Sequence, residues 1–353
     1  MTGIGTTTGA AATRPKLGIV LFGGTVDDLL DLTRSADAAG FDSVWTTDFY
    51  TRSATVSLAA MAMVSARITV GSAIAYGVGR SPFVLATEAR DIHELAAGRL
   101  ILGLGTGTRR MQQAWHGVDP SGSAARMTEL VPLLRRFWRL DVDGIHHDGR
   151  YFRVHLEPTG NLPPACEIPV YLAGVNRLML AAAGAVADGQ IGHPLFTRRY
   201  VEEVVVPTIA EAAEAHGRRP ADVERAGYVI CSVADDEALA VREAKRQIAF
   251  YALVKTYDPI LAMHGLESVG DDIRSAWAGR DAEAMADAVP DRMVELMAVA
   301  GRPDTVVGQF EERFGGVHDH VLLYPPSFGV APGRFSENLA AIVETFAPVE
   351  VAR

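Results

Sequence analysis

Eight times along 353 residues a short apolar run is followed by a stretch of helical character, and this alternation limits the fold more than any single motif does. The runs are residues 16–22, 42–47, 68–75, 100–104, 168–173, 189–192, 226–233 and 320–324. Helices are expected from a Thr25 or Asp27 cap through Ala39, and over 57–66, 82–97, 127–140, 176–186, 197–216, 235–253, 292–300, 305–314 and 334–346. The first four units recur at about 30 residues without a hairpin signal, which predicts a parallel sheet with helices outside it. A count of eight favours a (β/α)8 TIM barrel over the runner-up, a doubly wound open sheet.

Three stretches depart from the alternation. Residues 1–15 are rich in Gly, Thr and Ala, lack the order of a signal peptide, and read as a flexible lead-in to one domain over 16–353. Residues 144–154 read as a small hairpin turning on Asp148-Gly149, and 255–290 as a helical insertion. An apolar fraction of 48% supports a large core, while a formal charge of -10 argues against a nucleic-acid partner. No run approaches the ~20 apolar residues that span a bilayer. Cys166 and Cys231 lie far apart with no CxxC spacing, so neither a disulfide framework nor a zinc site is expected, and a reducing cytoplasm is the expected compartment.

A barrel of this kind places its chemistry at the C-terminal ends of the strands. Those ends are Phe22-Gly23-Gly24, Asp48-Phe49-Tyr50, 73–76, 105–109, 173–176, Gly192-His193, 231–233 and Tyr324-Pro325. Together they hold two glycine-bearing turns able to cradle an anion, one carboxylate, several aromatics, one His and one Arg. They hold no carboxylate pair and no Ser–His–Asp set, and His146 and His147 fall in the hairpin rather than in a metal cluster. The sharpest single signal is LILGLGTGTR at 100–109, a buried strand that runs straight into Gly105-Thr106-Gly107-Thr108.

Several pieces also carry a resemblance: AAGFDSVWTTD at 38–48, ITVGSAIA with Ser81-Pro82 after it, ELAAGRLILGLGTG at 94–107, IPVYLAG at 168–174, ADG at 187–189, GRPDTVVGQF at 301–310 and HVLLYPP at 320–326. In this order the chain resembles the bacterial luciferase-like oxidoreductases, and within them the coenzyme F420-dependent branch that includes methylenetetrahydromethanopterin reductase. The resemblance implies a deazaflavin ring across the barrel mouth, propped by a non-prolyl cis peptide at Ala73-Ile74. It implies that Asp48 lies near the ring, that Gly105, Thr106, Gly107 and Thr108 border it, and that Ala173, Gly174, Val175 and Asn176 offer N–H groups to the phosphate.

Two positions depart from relatives in that branch. Phe49 stands where several deazaflavin members carry His, and Thr108 stands where the sugar-phosphate dehydrogenases carry a Glu proton donor. A phenyl ring accepts no proton and a Thr hydroxyl is a poor acid near neutrality, so that substrate and its acid–base pair do not carry over. Asp48, Tyr50 and His193 are the catalytic candidates, with Tyr76 and Arg109 also considered for proton work. Phe49, Tyr76, Arg109 and Trp115 are expected to form the substrate pocket. The aromatics, with Ile260, Leu261 and Met263 of the insertion, suggest a small and partly apolar organic substrate. The leading expectation is hydride transfer with coenzyme F420. An FMN-dependent monooxygenase is the alternative, and a cofactor-binding protein without catalysis ranks third. Homodimers are common in the family, and the acidic helices here neither support nor exclude one.

Overall fold

Glycine against tryptophan decides how the middle of this molecule is filled. The computed structural model describes residues 14–22 and 24–348, so Gly23 and all of the expected lead-in except Arg14 and Pro15 lie outside the described residues. Eight parallel strands form the frame: β1 (Lys16–Val20), β2 (Ser43–Thr46), β3 (Thr69–Ser72), β4 (Leu100–Gly105), β5 (Val170–Ala173), β6 (Gly189–Ile191), β7 (Glu224–Val233) and β8 (His320–Tyr324). They pair in chain order, β8 pairs back onto β1, and β6 pairs with β7, so the sheet closes into a TIM barrel ringed by helices.

Side chains alternate between the two faces of each strand. On β8, Val321 and Leu323 pack outward under the helices, while Leu322 and Tyr324 join the inner cluster. Trp45 fills the interior and is fully buried. It fits because its neighbours carry no side chain: a Cβ on Gly71 would lie 2.4 Å from the indole, and one on Gly18 would lie 2.9 Å from its nitrogen. The indole N–H donates to Ser43 Oγ at 2.6 Å, which meets His320 Nε2 at 2.6 Å. His320 Nδ1 meets Glu224 Oε1 at 3.1 Å, and Lys16 Nζ closes the chain on Glu224 Oε2 at 2.7 Å.

The helices start where capping residues direct them. Thr25 makes a capping box with Asp28 at the start of the helix Val26–Ala38, and Pro82 opens Pro82–Leu95 behind a Ser81 cap. The expected hairpin is Ile145–Asp148 against Arg153–Leu156, with Asp148 facing Arg153. The segment 255–290 holds the helices Asp258–Ala262, Glu267–Ala278 and Ala282–Asp287. No described helix is long and apolar enough to cross a membrane.

Two expectations need correction. The long helix over 197–216 is Arg198–Tyr200, a π turn at Val201–Val205 and then Val206–Ala215. Pro207 lacks the N–H that a continuous α-helix would use there. The helix over 292–300 stops at Met297, and Ala298–Gly301 is a strand. It pairs with the upper half of β7, Ile230 to Val233, above the level at which β6 and β8 flank the lower half. An open strand edge thus overrides local helix preference. A short helix, Arg109–Ala114, also follows β4, in a stretch to which the sequence assigns no element.

Acid should loosen this frame earlier than carboxylates alone would. His318 is buried with no partner for Nδ1, and burial pushes its pKa down to about 4 from 6.5. Glu224 titrates at about 2 rather than 4.5: burial opposes this, but hydrogen bonds from His320 and Lys16 prevail. Below pH 6.5 the unfolded chain takes up protons that folded His318 refuses, so stability falls from there toward pH 4. The Glu224 contribution is complete above pH 4.5 and is lost as pH falls toward about 2. Urea midpoints at pH 8, 6 and 5 should therefore decline, and His318→Gln should flatten the decline. A midpoint constant from pH 7 to 5 would contradict this.

Candidate active site at the barrel mouth

The turn after β3 is the best-fixed piece of backbone at the mouth. Its Ala73-Ile74 bond is cis, as the resemblance implied, and the chain then resumes as the strand Ala75–Tyr76 against Leu104 and Gly105. Asp48 N–H and Thr47 Oγ1 both donate to the Ile74 carbonyl, at 2.7 and 3.1 Å. Thr47 Oγ1 also accepts from Ile74 N–H, and from β7 the Tyr228 hydroxyl donates to the Ala73 carbonyl.

Asp48, a catalytic and cofactor candidate from sequence, is 6% exposed and has four donors. Oδ1 takes Ala54 N–H at 2.7 Å and Arg80 at 3.2 Å; Oδ2 takes Tyr76 N–H at 2.8 Å and Arg80 at 2.6 Å. The carboxylate thus caps the helix Ala54–Val64, holds the turn after β3 and anchors Arg80. Sequence reasoning missed Arg80. It lies 32 positions from Asp48, and no local spacing signals the pair.

A cleft of about 630 Å3 opens beside this brace. Phe49, Tyr50, Tyr76, Trp115 and His116 are among the residues that line it. Phe49 packs on Tyr50 at 4.3 Å and on Trp115 at 5.6 Å, so this wall is aromatic. Tyr50 is 76% exposed and makes ring contacts rather than charged ones. Burial, aided by the Asp48 charge, pushes the Tyr76 phenol up to about 12. Arg109 does not join the cleft: it is exposed on the short helix Arg109–Ala114. Ile260 and Leu261 are fully buried in the inner cluster and do not line the cleft.

The two glycine-bearing turns are open to a ligand in different ways. At Gly105 a Cβ would lie 2.7 Å from Ile74, and Gly107 has φ +65, so bare backbone is required there. Thr106 is buried, and the Thr108 hydroxyl caps the short helix by accepting from Met111 N–H. After β5, Gly174 is buried, Asn176 caps the helix Arg177–Val186 by accepting from Met179 N–H, and Val175 O takes the Tyr200 hydroxyl at 2.8 Å. That cap leaves the earliest N–H groups of a ten-residue helix facing outward beside half-buried Ala173 and Val175.

Across the mouth from Asp48 stands a group that sequence reasoning only partly saw. His193, after β6, stacks on Tyr257 at 3.9 Å and meets Tyr251 edge-on at 4.7 Å. Its Nδ1 accepts from Leu195 N–H at 3.2 Å, which places the ring proton on Nε2, and burial lowers its pKa to about 3. Tyr251 donates to the Tyr324 hydroxyl at 3.1 Å, and the Tyr228 and Tyr324 rings meet at 5.5 Å. Burial raises all three phenols above their ordinary value, so each is protonated at neutral pH. Tyr228 could have been found, since it is a large residue on the inward face of β7 between Ala226 and Ile230. Tyr251 and Tyr257 come from a helix end and the insertion, which only the tertiary fold brings to the rim.

No group of three His, Cys, Asp or Glu side chains able to hold a metal occurs among the described residues. The mouth instead offers bare backbone, a helix N-terminus, apolar walls and neutral hydrogen-bond donors. That set suits a planar ring carrying a phosphorylated chain.

Comparisons with known proteins agree with this architecture. An uncharacterized protein of Mycobacterium tuberculosis is 32% identical over 305 residues, which cover 82% of this chain and 89% of its own. The 5,10-methylenetetrahydromethanopterin reductase of Methanopyrus kandleri is 25% identical over 297 residues, covering 80% and 84%. The coenzyme F420-dependent tetrahydromethanopterin reductase structure from that organism superposes with a TM-score of 0.79 at 22% identity, covering 94% of this chain and 98% of the other. An FMN complex of a type II Baeyer–Villiger monooxygenase of Pseudomonas putida gives 0.67 at 19% identity, covering 96% and 99%. A sequence model of the family described as luciferase-like monooxygenase matches residues 3–320, and the chain belongs to that family.

Proposed function

We propose that this chain is a coenzyme F420-dependent oxidoreductase acting on a small, partly apolar organic substrate. The observation that carries the reading is the cluster of neutral donors, His193 and three phenols, on the side of the mouth facing the cis turn. When bound, the deazaflavin supplies or takes a hydride, and this reaction needs a donor beside the substrate rather than a strong base. Ala73 and Ile74 would support the ring, Gly105 to Thr108 would border it, and 173–176 would meet the phosphate. The similarity to a methylenetetrahydromethanopterin reductase supports the same reading. Two free cysteines suit a reducing cytoplasm. We also propose a homodimer, with the exposed Val56 and Met63 of the helix Ala54–Val64 in the contact.

An FMN-dependent monooxygenase is the second reading, favoured by the FMN-bound relative. Separate titrations with FMN and with the deazaflavin, followed by ring absorbance, decide between them. The expected result is micromolar binding of the deazaflavin alone; micromolar FMN binding without deazaflavin binding would overturn the proposal. Gly174→Asp should weaken binding roughly tenfold by placing a carboxylate beside the phosphate. A Cβ there already lies 3.0 Å from Leu180 N, so Gly174→Ala separates bulk from charge. Unchanged affinity in the Asp variant would put the phosphate elsewhere.

A further inference from the structure

Of the three phenols Tyr228, Tyr251 and Tyr324, two have already committed their protons. Tyr228 donates to the Ala73 carbonyl and Tyr251 donates to Tyr324. Tyr324 accepts from Tyr251, is 3% exposed, and has the Ser327 side chain as its other hydrogen-bonding neighbour. A buried hydroxyl that receives a hydrogen bond from another phenol is polarised to donate its own proton, and here the ring contact with Tyr228 places it one residue from the cis turn. The position is held from both sides: Gln247 Oε1 takes Ser327 N–H at 2.8 Å and Phe328 N–H at 3.1 Å, tying the loop after β8 to the helix that carries Tyr251.

We propose that Tyr324 is the catalytic proton donor, that Tyr251 positions it and restores its proton, and that the substrate is a neutral carbonyl compound. This deepens the reading above and rests on it. In the reductive direction the carbonyl carbon gains the hydride of the reduced deazaflavin, and the C=O π pair moves to oxygen. The oxygen takes the Tyr324 proton as the phenol O–H bond breaks. Tyr251 then reprotonates the phenolate and is itself reprotonated by solvent at the rim. An alkoxide is far more basic than a phenolate, so the transfer runs downhill even with a phenol that burial has made less acidic. Hydrogen bonds from Ser327 and Tyr251 work against that effect of burial. The neighbouring donors are neutral as well: His193 holds its ring proton on Nε2, which fits an uncharged oxygen better than a carboxylate.

The test separates binding from turnover by using protein loaded with the oxidised deazaflavin and cyclohex-2-enone as the probe. Deazaflavin fluorescence reports cofactor and enone affinity, and infrared difference spectra report the enone carbonyl stretch. Cofactor affinity should be the same in wild type, Tyr324→Phe and Tyr251→Phe. Enone affinity should fall about tenfold in Tyr324→Phe and about threefold in Tyr251→Phe. The downshift of the carbonyl band seen with wild type should vanish in the first variant and shrink in the second. With the reduced cofactor, Tyr324→Phe should lower kcat for the enone more than it changes KM. Normal cofactor binding with a wild-type-like band in Tyr324→Phe, or with no band shift in wild type, overturns the phenol's role and leaves the cofactor reading standing. Failure of the wild type to bind the deazaflavin overturns both.

Discussion

Asp48→Ala is expected to cost about 3–5 kcal/mol of folding stability, more than a change at any exposed charge in this chain. The carboxylate is buried and meets Arg80 through both oxygens, so its removal leaves a guanidinium that is only 20% exposed without its main counter-charge. It also strips the side-chain acceptor from Ala54 N–H and Tyr76 N–H, two buried backbone donors. Arg80→Met should cost less, because a neutral side chain of similar length fills the space and Asp48 keeps its two backbone donors. Urea denaturation of both single variants and the double variant should show strong coupling, with the double variant no worse than Asp48→Ala. If Asp48→Ala were as stable as wild type yet inactive, the carboxylate would be a catalytic group after all.

Gly103→Ala should be worse tolerated than any other single methyl addition to the barrel. A Cβ built there lies 1.8 Å from the Ser72 carbonyl oxygen, which is backbone and cannot rotate away. Two hydrogen bonds fix the approach, Ser72 Oγ donating to Gly103 O at 2.8 Å and accepting from Gly103 N–H at 3.0 Å. Forcing β3 and β4 apart should cost about 3 kcal/mol or more and displace the cis turn that follows Ser72. Gly71→Ala is the informative contrast, because its Cβ meets the Trp45 ring at 2.4 Å, a side chain that a smaller residue can replace. Trp45→Leu should rescue Gly71→Ala and leave Gly103→Ala unfolded, as thermal melts and soluble yield would show. Rescue of both, or a fully stable Gly103→Ala, would mean that the two strands can part.

The frame was legible because most strands are apolar runs with a Gly, Pro or Asp at one end, and all eight runs became barrel strands. What local pattern missed depends on partners distant in sequence. Ala298–Gly301 became a strand because β7 extends past its barrel neighbours and offers an edge. Asp48 was found, but the four donors that turn it into a brace come from positions 54, 76 and 80. The aromatic wall was half legible: Phe49, Tyr76 and Trp115 follow strand ends, whereas Tyr251 and Tyr257 arrive from elements whose placement no periodicity reveals. The cis turn at Ala73-Ile74 had no signal of its own and came only from family resemblance.

The chain of contacts below the mouth sets a limit on where protons can travel. From Lys16 through Glu224, His320 and Ser43 the groups could pass a proton inward from the bottom of the barrel. The last member is the Trp45 indole, which gives a hydrogen bond and can accept none. The wire therefore ends in an insulator under the floor of the site. These contacts thus deliver no proton to the mouth, and the His193 and tyrosine cluster at the rim stands apart from the ionisable groups at the bottom of the barrel.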